Sequence, residues 1–277
     1  IYSLMIKSRR VLVTGGGGSI GSELVRQLAP HNKIFVIDIN AGALHGLMSE
    51  LKIYGRVGDI RDKEVVHDVF SDFKPQIVFH AAANKYVDLC EKYPSECIET
   101  NVIGTRNLIE EAKKWECVEK FVFISTDKVN GGSLMGATKK LGEIMAKNVG
   151  YHVVRFANVL GSSGSVIPIW EKQINSGGAV TVTSPEMERY FMTIQEAVNL
   201  VIQAAETFEG GKIITLDMGD PVKILDLAKK IIEASRKKVE IEITGIRPGE
   251  QLREKLMSEE EEKVAIKKGK FFVINGS

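Results

Sequence analysis

Residues 14–21 read Thr-Gly-Gly-Gly-Gly-Ser-Ile-Gly and lie between a β-branched apolar run, Val11–Thr14, and a stretch with helical apolar spacing, Ser19–Leu28. Three glycines spaced three apart allow a tight turn, a close backbone approach to a pyrophosphate, and close packing of helix on strand. The free N–H groups of the first helical turn then point at the phosphates. The residues assigned to a dinucleotide's phosphates are Gly15, Gly18, Ser19, Ile20 and Gly21.

Two acidic residues follow the next apolar runs. Asp38 ends the second run, Lys33–Ile37, at the distance expected for an acid that binds a ribose. A carboxylate there accepts the adenosine ribose hydroxyls and repels a 2′-phosphate, so NAD is favoured over NADP. Asp59 and Ile60 follow the third run and are predicted to lie beside the adenine.

Short apolar runs alternate with helix-like stretches up to about residue 160, and this rhythm predicts an α/β fold with a doubly wound parallel sheet. The region 100–115 is predicted to form one long helix. After residue 160 the alternation of apolar runs and helix-like stretches becomes less regular. We therefore expect a dinucleotide-binding domain over 1–160 and a smaller substrate-binding lobe over 161–277, interleaved with the sheet edge. The acidic run Glu259–Glu262 is interpreted as a solvated helix face or tail.

The charge balance excludes several classes of partner. With 37 Lys and Arg against 36 Asp and Glu, the net charge of +1 argues against a general nucleic-acid or anionic-membrane binder. Three cysteines without a Cys-x-x-Cys pair predict a reduced cytoplasmic protein with no metal site. No apolar run reaches the roughly 18 residues of a membrane span.

The N-terminal stretch Ile1–Arg10 has its basic residues after its apolar ones, the wrong order for a signal peptide. A chain that starts at Ile1 leaves room for a region upstream that is missing from this sequence.

Several motifs together resemble the extended short-chain dehydrogenase/reductase superfamily, which has a Rossmann-type fold. They are the glycine stretch, Asp59, the Ala81-Ala82-Ala83 run and Asn101. That superfamily places a Tyr-x-x-x-Lys pair after its fifth strand. No tyrosine in this sequence has a lysine four residues later, and Met135-Gly136-Ala137-Thr138-Lys139 occupies the matching place.

The absence of the Tyr-x-x-x-Lys pair is shared with one branch of the superfamily. Ser125-Thr126-Asp127-Lys128, followed by Met135–Lys139, is similar to nucleotide-sugar 4,6-dehydratases, in particular the UDP-N-acetylglucosamine 4,6-dehydratases of the capsule and O-antigen type. Three further motifs agree with that family: Arg155–Ser162, Arg189–Thr193 and Arg247–Glu250. The resemblance implies an NAD-dependent lyase with internal redox. A hydride leaves C-4 of the hexose and returns to C-6 after water is lost across C-5 and C-6.

The resemblance also implies catalytic roles. Asp127 is expected to be the protonated acid for the departing C-6 hydroxyl, and Lys128 the neutral base for C-5. Thr126 would hydrogen-bond O-4, while Lys139 would hold the nicotinamide ribose and favour a deprotonated O-4 by its charge. Met135 cannot transfer a proton, so the usual tyrosine role passes to another group or to water.

The remaining site residues come from the same resemblance. The further cofactor contacts implied are Ala81, Ala82, Asn101 and Val159. Arg247 suits a pyrophosphate because a guanidinium matches phosphate geometry, and Glu250 suits the uridine ribose. The other implied substrate-binding residues are Lys85, Met135, Asn158, Val166 and Arg189. A homo-oligomer formed through helices beside the active site is also expected.

Three alternatives to a simple dehydratase stay open. The first is a dehydratase that also inverts C-5, and the second a 4-epimerase on the same scaffold. Epimerases normally use the tyrosine that is missing here. The third is a non-catalytic dinucleotide-binding regulator, against which Asp127, Lys128 and Arg247 argue because a sensor needs neither an acid–base pair nor a nucleotide-sugar clamp.

Overall fold

The computed structural model describes residues 6–275, so the prediction for the N-terminal stretch falls partly outside it, at Ile1–Met5. The strands are β1 Arg10–Thr14, β2 Lys33–Asp38, β3 Tyr54–Val57, β4 Ile77–His80, β5 Lys120–Thr126, β6 His152–Phe156, β7 Asn158–Val159, β8 Val180–Val182, β9 Glu188–Arg189, β10 Phe191–Met192, β11 Lys212–Leu216, β12 Val222–Lys223, β13 Ile241–Ile243, β14 Ala265–Lys268 and β15 Phe271–Asn275. The helices are α1 Ser19–Leu28, α2 Ala41–Glu50, α3 Lys63–Phe73, α4 Val87–Lys92, α5 Pro94–Ile98, α6 Thr105–Ala112, α7 Leu134–Asn148, α8 Val166–Asn175, α9 Ile194–Thr207, α10 Ile224–Ser235 and α11 Glu259–Val264.

Nine strands form the large sheet, in the order β14-β15-β11-β6-β5-β4-β1-β2-β3. From β3 to β11 every neighbouring pair is parallel, and the strand order reverses between β1 and β4. In open sheets of this kind, ligands bind outside the carboxyl ends of the strands at the point of reversal. The predicted Rossmann-type α/β fold is therefore confirmed.

Alternate side chains of each central strand enter cores on opposite faces of the sheet. Val11 and Val13 of β1 pack with helices α1, α2 and α9, whereas Leu12 packs with α3, α6 and α7. All three side chains are completely buried. The apolar runs of the sequence lack alternation because both faces of these strands are covered.

A smaller core lies beyond β6, where helices α8 and α10 pack against the β8–β13 strand pair. Trp170, Ile174 and Ile224 are among its buried residues. The chain does not remain in this lobe, because β11 pairs with β6 and the antiparallel strands β14 and β15 continue the large sheet. The division of domains at residue 160 stays a prediction.

Three details differ from the sequence-based expectation. The predicted long helix over 100–115 begins as a π-helix, Glu99–Gly104, and ends at Ala112. Two short helices, α4 and α5, were not predicted, since they lack a long apolar repeat. The run Glu259–Glu262 is helical and three of its residues are exposed, as expected of a solvated helix face, but the Glu261 side chain is only 12% exposed and pairs with buried Arg155.

Candidate active site

A cavity of about 920 Å³ opens at the carboxyl ends of the parallel strands, between the large sheet and the smaller lobe. All but two of the predicted site residues line it. The residues that do are Gly15, Gly18, Ser19, Ile20, Gly21, Asp38, Asp59, Ile60, Ala81, Ala82, Lys85, Thr126, Lys128, Met135, Lys139, Asn158, Val159, Val166, Arg189, Arg247 and Glu250. Asn101 and Asp127 are buried behind its wall.

The glycine loop is shaped by contacts that exclude side chains. Gly15 has a φ of +69°, and a Cβ there would overlap the backbone of Ala82. A Cβ on Gly21 would overlap the Gly15 carbonyl oxygen. No side chain caps the start of α1 at Gly18, so the first N–H groups of that helix are left for a ligand. These features fit the predicted phosphate cradle.

Asp38 is built into the same loop. One carboxylate oxygen accepts a hydrogen bond from the Gly17 backbone N–H at 2.8 Å, and the other accepts one from Asn40 N–H at 2.8 Å. The carboxylate is thereby fixed at the end of β2, where ribose hydroxyls of a dinucleotide fit and a 2′-phosphate would be repelled.

Asp59 forms the adjoining part of the cavity wall with Arg61. The Arg61 Nε donates to an Asp59 oxygen at 2.7 Å. Burial alone would raise the pKa of Asp59, but the hydrogen bonds from Arg61 lower it. Asp59 is therefore held ionised beside the predicted adenine position.

Asn101 lies behind the wall of the cavity and not at its surface. Its side chain accepts from the Asn84 N–H at 2.8 Å, donates to the Asn84 carbonyl at 2.9 Å, and donates to Thr138 Oγ1 at 3.0 Å. The π-helix aims this amide at the loop after β4. Asn101 thus links the loop that carries Ala81 and Ala82 to helix α7.

Thr126, Asp127 and Lys128 lie where β5 passes into a 3₁₀ turn, Asp127–Asn130. The Thr126 hydroxyl donates to Asp127 Oδ1 at 3.0 Å, and Lys128 Nζ donates to the same oxygen at 3.1 Å. Asp127 is completely buried, and its Oδ2 has no hydrogen-bond partner among the described residues. The three predicted catalytic groups are thus in contact, but only Thr126 and Lys128 line the cavity.

Helix α7 brings Met135 and Lys139 to this turn. A Cβ on Gly136 would overlap the Lys128 carbonyl oxygen, so the glycine allows the helix to approach closely. Met135 is 2% exposed. The Lys139 Nζ lies 4.1 Å from the centroid of the Phe123 ring. Burial lowers the pKa of Lys139 to about 7, even though Glu143 opposes that shift.

The predicted substrate residues fall into two groups. Arg247 and Glu250 form a turn at the cavity mouth, in which the Glu250 carboxylate accepts from Arg247 N–H at 3.2 Å. Lys85 and Asn158 line the same cavity, Lys85 as an exposed residue and Asn158 as a half-buried one. Lys85 Nζ donates to the Ser163 carbonyl at 2.6 Å, and Asn158 Oδ1 accepts from Lys128 Nζ at 3.1 Å. Val166 begins helix α8 beside them.

Arg189, predicted to bind substrate, is held by backbone carbonyl groups. Its guanidinium donates to the carbonyl oxygens of Glu188, Gln251 and Leu252 at 2.7–3.1 Å. We call residues 247–255 the clamp segment. Arg189 lines the cavity, yet these bonds make it an anchor for the clamp segment, and substrate binding by Arg189 stays a prediction.

The sequence analysis missed Glu254. This residue is 8% exposed, lines the cavity, and lies 3.7 Å from Lys128 Nζ and 3.5 Å from Arg189 Nη2. Burial raises the pKa of Glu254, and the nearby Asp127 charge adds to that, against the opposing effects of Lys128 and Arg189. Its position just after the Arg-Pro-Gly-Glu turn was the one available signal.

Two kinds of feature are absent from the part of the chain that the structure describes. Over 6–275, no helix is long and apolar enough to cross a membrane. The same residues contain no group of three or more His, Cys, Asp or Glu side chains that could hold a metal ion.

The fold is shared with solved epimerases and dehydratases. The Pen protein of Bacillus thuringiensis has a TM-score of 0.93 at 32% identity, covering 98% of this chain and 87% of that one. The Thermus thermophilus UDP-glucose 4-epimerase, solved with NAD, has a TM-score of 0.81 at 26% identity and covers 90% of each chain. The fold and cleft are thus of the short-chain dehydrogenase/reductase type.

Sequence comparison gives the family. Residues 11–276 match the family described as Polysaccharide biosynthesis protein, and the chain belongs to that family. The Staphylococcus aureus capsular polysaccharide biosynthesis protein CapD is 47% identical over 94% of this chain. A Campylobacter jejuni UDP-N-acetylglucosamine 4,6-dehydratase (inverting) is 31% identical over 99% of this chain and 84% of its own length. The predicted resemblance is confirmed at this level.

The chain spans about half the length of the capsular relatives that it matches, 47% of CapD and 46% of the Bacillus subtilis protein EpsC.

Proposed function

We propose that this chain is an NAD-dependent nucleotide-sugar 4,6-dehydratase that acts on UDP-N-acetylglucosamine or a close UDP-sugar. The observation that carries the proposal is the contact of the buried Asp127 with Thr126 and Lys128, which line a cavity where Met135 occupies the usual tyrosine position. A dehydratase needs an acid and a base at C-6 and C-5, and this arrangement supplies both. The C. jejuni relative, by its name a dehydratase, supports the same reading.

The cofactor is proposed to be NAD. The uncapped start of α1 and the glycines without room for a Cβ suit a pyrophosphate, and Asp38 suits an unphosphorylated ribose. Bound NAD supplies a two-electron acceptor and donor, so that oxidation at C-4 and reduction at C-6 balance within one turnover. The NAD-bound Thermus thermophilus epimerase supports this choice.

The chain's own groups would move the protons. Lys139 lies on the cavity wall with a pKa of about 7, so at neutral pH it can carry the charge that favours a deprotonated O-4, next to the Thr126 hydroxyl. Lys128 would take the C-5 proton. Asp127 would give a proton to the departing C-6 hydroxyl. The Thr126 hydroxyl, which lines the cavity and contacts Asp127 Oδ1 at 3.0 Å, supports this role.

Substrate orientation is assigned to the mouth of the cavity. Arg247 is proposed to bind the pyrophosphate and Glu250 the uridine ribose, since guanidinium and phosphate make paired hydrogen bonds. Asn158, Lys85 and Val166 would contact the sugar, the phosphates and the uracil.

Conversion of UDP-N-acetylglucosamine in deuterated water, followed by NMR, tests this function. We expect a 4-keto-6-deoxy sugar with deuterium at C-5 and no lasting gain in absorbance at 340 nm. A C-4 epimer as the only product would instead indicate an epimerase, and unchanged substrate across UDP-sugars would reject the proposal. The same spectrum assigns the configuration at C-5 of the product. Inversion at C-5 is the second candidate outcome, because the C. jejuni relative is named an inverting dehydratase.

We also propose that the active form is a homo-oligomer. Large apolar side chains are exposed on helices α4 and α7 beside the active site, among them Leu89 at 48% and Leu141 at 49%. Light scattering after gel filtration measures the mass of the particle, and a monomer would reject this. Location in the cytoplasm stays a prediction.

A further inference from the structure

Glu254 is a buried carboxylate that the mechanism above does not use. Its side chain is only 5% exposed, yet it lines the cavity and faces two cations, Lys128 at 3.7 Å and Arg189 at 3.5 Å. A buried carboxylate is costly unless it is paired, so its retention beside the proposed base calls for a role.

The backbone around Glu254 is fixed against the catalytic turn. Asn130 donates from its side chain to the Lys255 carbonyl at 2.9 Å. A Cβ on Gly131 would lie 3.1 Å from the side chain of Gln251, so the turn and the clamp segment pack closely. Arg189 holds the Gln251 carbonyl from the other side at 2.7 Å. The position of the Glu254 carboxylate is therefore determined by the packing of two segments.

Lys128 is surrounded by three side-chain oxygens. Asp127 Oδ1 and Asn158 Oδ1 each lie 3.1 Å from its Nζ, and Glu254 Oε1 lies at 3.7 Å. The first of these comes from the 3₁₀ turn after β5, the second from β7 and the third from the clamp segment. Of the three, Glu254 is the ionisable group that also lines the cavity.

We propose that Glu254 is a positioning residue for Lys128, one that orients the amine and stabilises the ammonium formed when Lys128 accepts the C-5 proton. The inference rests on the proposed dehydratase function. In that step the C-5–H bond breaks, an N–H bond forms on Lys128, and the electron pair enters the enolate. The C-6–O bond then breaks as Asp127 protonates the hydroxyl, and water leaves.

The physical basis is the one by which a buried carboxylate orients a catalytic histidine and stabilises its cation. Asp127 serves this purpose less well, because in the proposed reaction it must carry a proton as the acid. Glu254 can remain the anion while Asp127 is neutral. The raised pKa of Glu254 reflects burial, and Lys128 and Arg189 both act to keep it ionised.

Exchange of the C-5 proton isolates this step from the redox steps. The 4-keto-6-deoxy product is incubated with the NAD-loaded enzyme in deuterated water, and deuterium at C-5 is followed by NMR. Glu254→Gln keeps the size of the side chain and should slow exchange and kcat by at least about tenfold, with KM little changed. Glu254→Asp should restore part of the rate. The matched control is Glu259→Gln, at a carboxylate that is 75% exposed.

Thermal unfolding of Lys128→Met, Glu254→Gln and the double variant provides a readout that needs no turnover. A loss of Tm in the double variant smaller than the sum of the single losses supports the pairing. Additive losses, or normal exchange in Glu254→Gln, would overturn it. The unmodified enzyme could take up no deuterium at C-5 while the Tm losses of the variants are non-additive. That result would reject the dehydratase function and leave the Lys128–Glu254 pairing supported.

Discussion

Two buried groups of charges lie on opposite sides of the end of β5, and both join the sheet to the segment that follows β13. The closed cluster is Glu143, Arg155 and Glu261. The Arg155 guanidinium lies 2.8 Å from Glu143 and 2.7 Å from Glu261, and it also donates to the Leu256 carbonyl at 2.9 Å. Arg155 has no exposed surface.

The open cluster is Asp127, Lys128, Arg189 and Glu254. Its ion pairs are longer, at 3.1–3.7 Å, and one oxygen of Asp127 has no partner among the described residues. Lys128 and Glu254 reach the cavity. Charges that are fully paired fix the fold, whereas charges that keep a free oxygen and a cavity face retain the capacity to exchange protons.

Replacing the proposed base or acid should give the largest effect. Lys128→Met and Asp127→Asn should each lower turnover by about 10²–10⁴-fold, the usual contribution of a positioned acid or base. Nucleotide binding, measured by calorimetry with UDP, should persist in both. The control is Lys255→Met, at a lysine that is 63% exposed. Near-normal rates would show that the open cluster takes no part in the mechanism, and the functional difference between the open and closed clusters would then be rejected.

Breaking the closed cluster should affect stability instead. Arg155→Leu leaves the buried Glu143 with only the Lys140 ammonium, at 3.6 Å, and should lower the free energy of unfolding by about 3–5 kcal/mol. Urea denaturation followed by circular dichroism measures this. The double variant Arg155→Leu/Glu143→Leu should regain much of the loss, since the buried Glu143 charge is removed as well and Lys140 still pairs with Glu261. A change below about 1 kcal/mol in Arg155→Leu would show that the network is dispensable.

The closed cluster should also weaken in acid. Burial alone would raise the pKa of Glu261, but Arg155 and Lys140 lower it to about 2, against an ordinary value of 4.5. The stability that Glu261 contributes is therefore complete above about pH 4.5 and is lost as the pH falls toward 2. Glu261→Gln should cost about 2 kcal/mol at pH 7 and flatten this part of the pH curve. An unchanged acid limb in unfolding experiments would contradict the pairing.

Most of the fold could be predicted from local sequence patterns. Helix α1 has the predicted bounds, because it combines an apolar repeat with a clear start and end. Strands β14 and β15 were not predicted, since their place beside β11 depends on a pairing across distant segments. Such pairing leaves little trace in a local window.

The site was predictable only where neighbours in sequence remain neighbours in space. Gly15 and Gly21 act within one turn of chain, so their spacing was sufficient. Glu254 meets Lys128 only through packing of the clamp segment, and its place just after the Arg-Pro-Gly-Glu turn was the one signal in the sequence. The burial of Asp127 was equally hidden, because in the 3₁₀ turn it has no exposed surface while Lys128, the next residue, lines the cavity.

The placement of β15 has a consequence for synthesis. Strand β11 needs β15 as its antiparallel neighbour, but β15 is translated after the rest of the sheet, the α10 helix and the clamp segment. At the usual pace of a ribosome, several seconds pass in which the side of β11 away from β6 presents unpaired backbone groups. Bare edges of this kind invite pairing with other chains. The nascent protein is therefore prone to aggregate until strand β15 has been added.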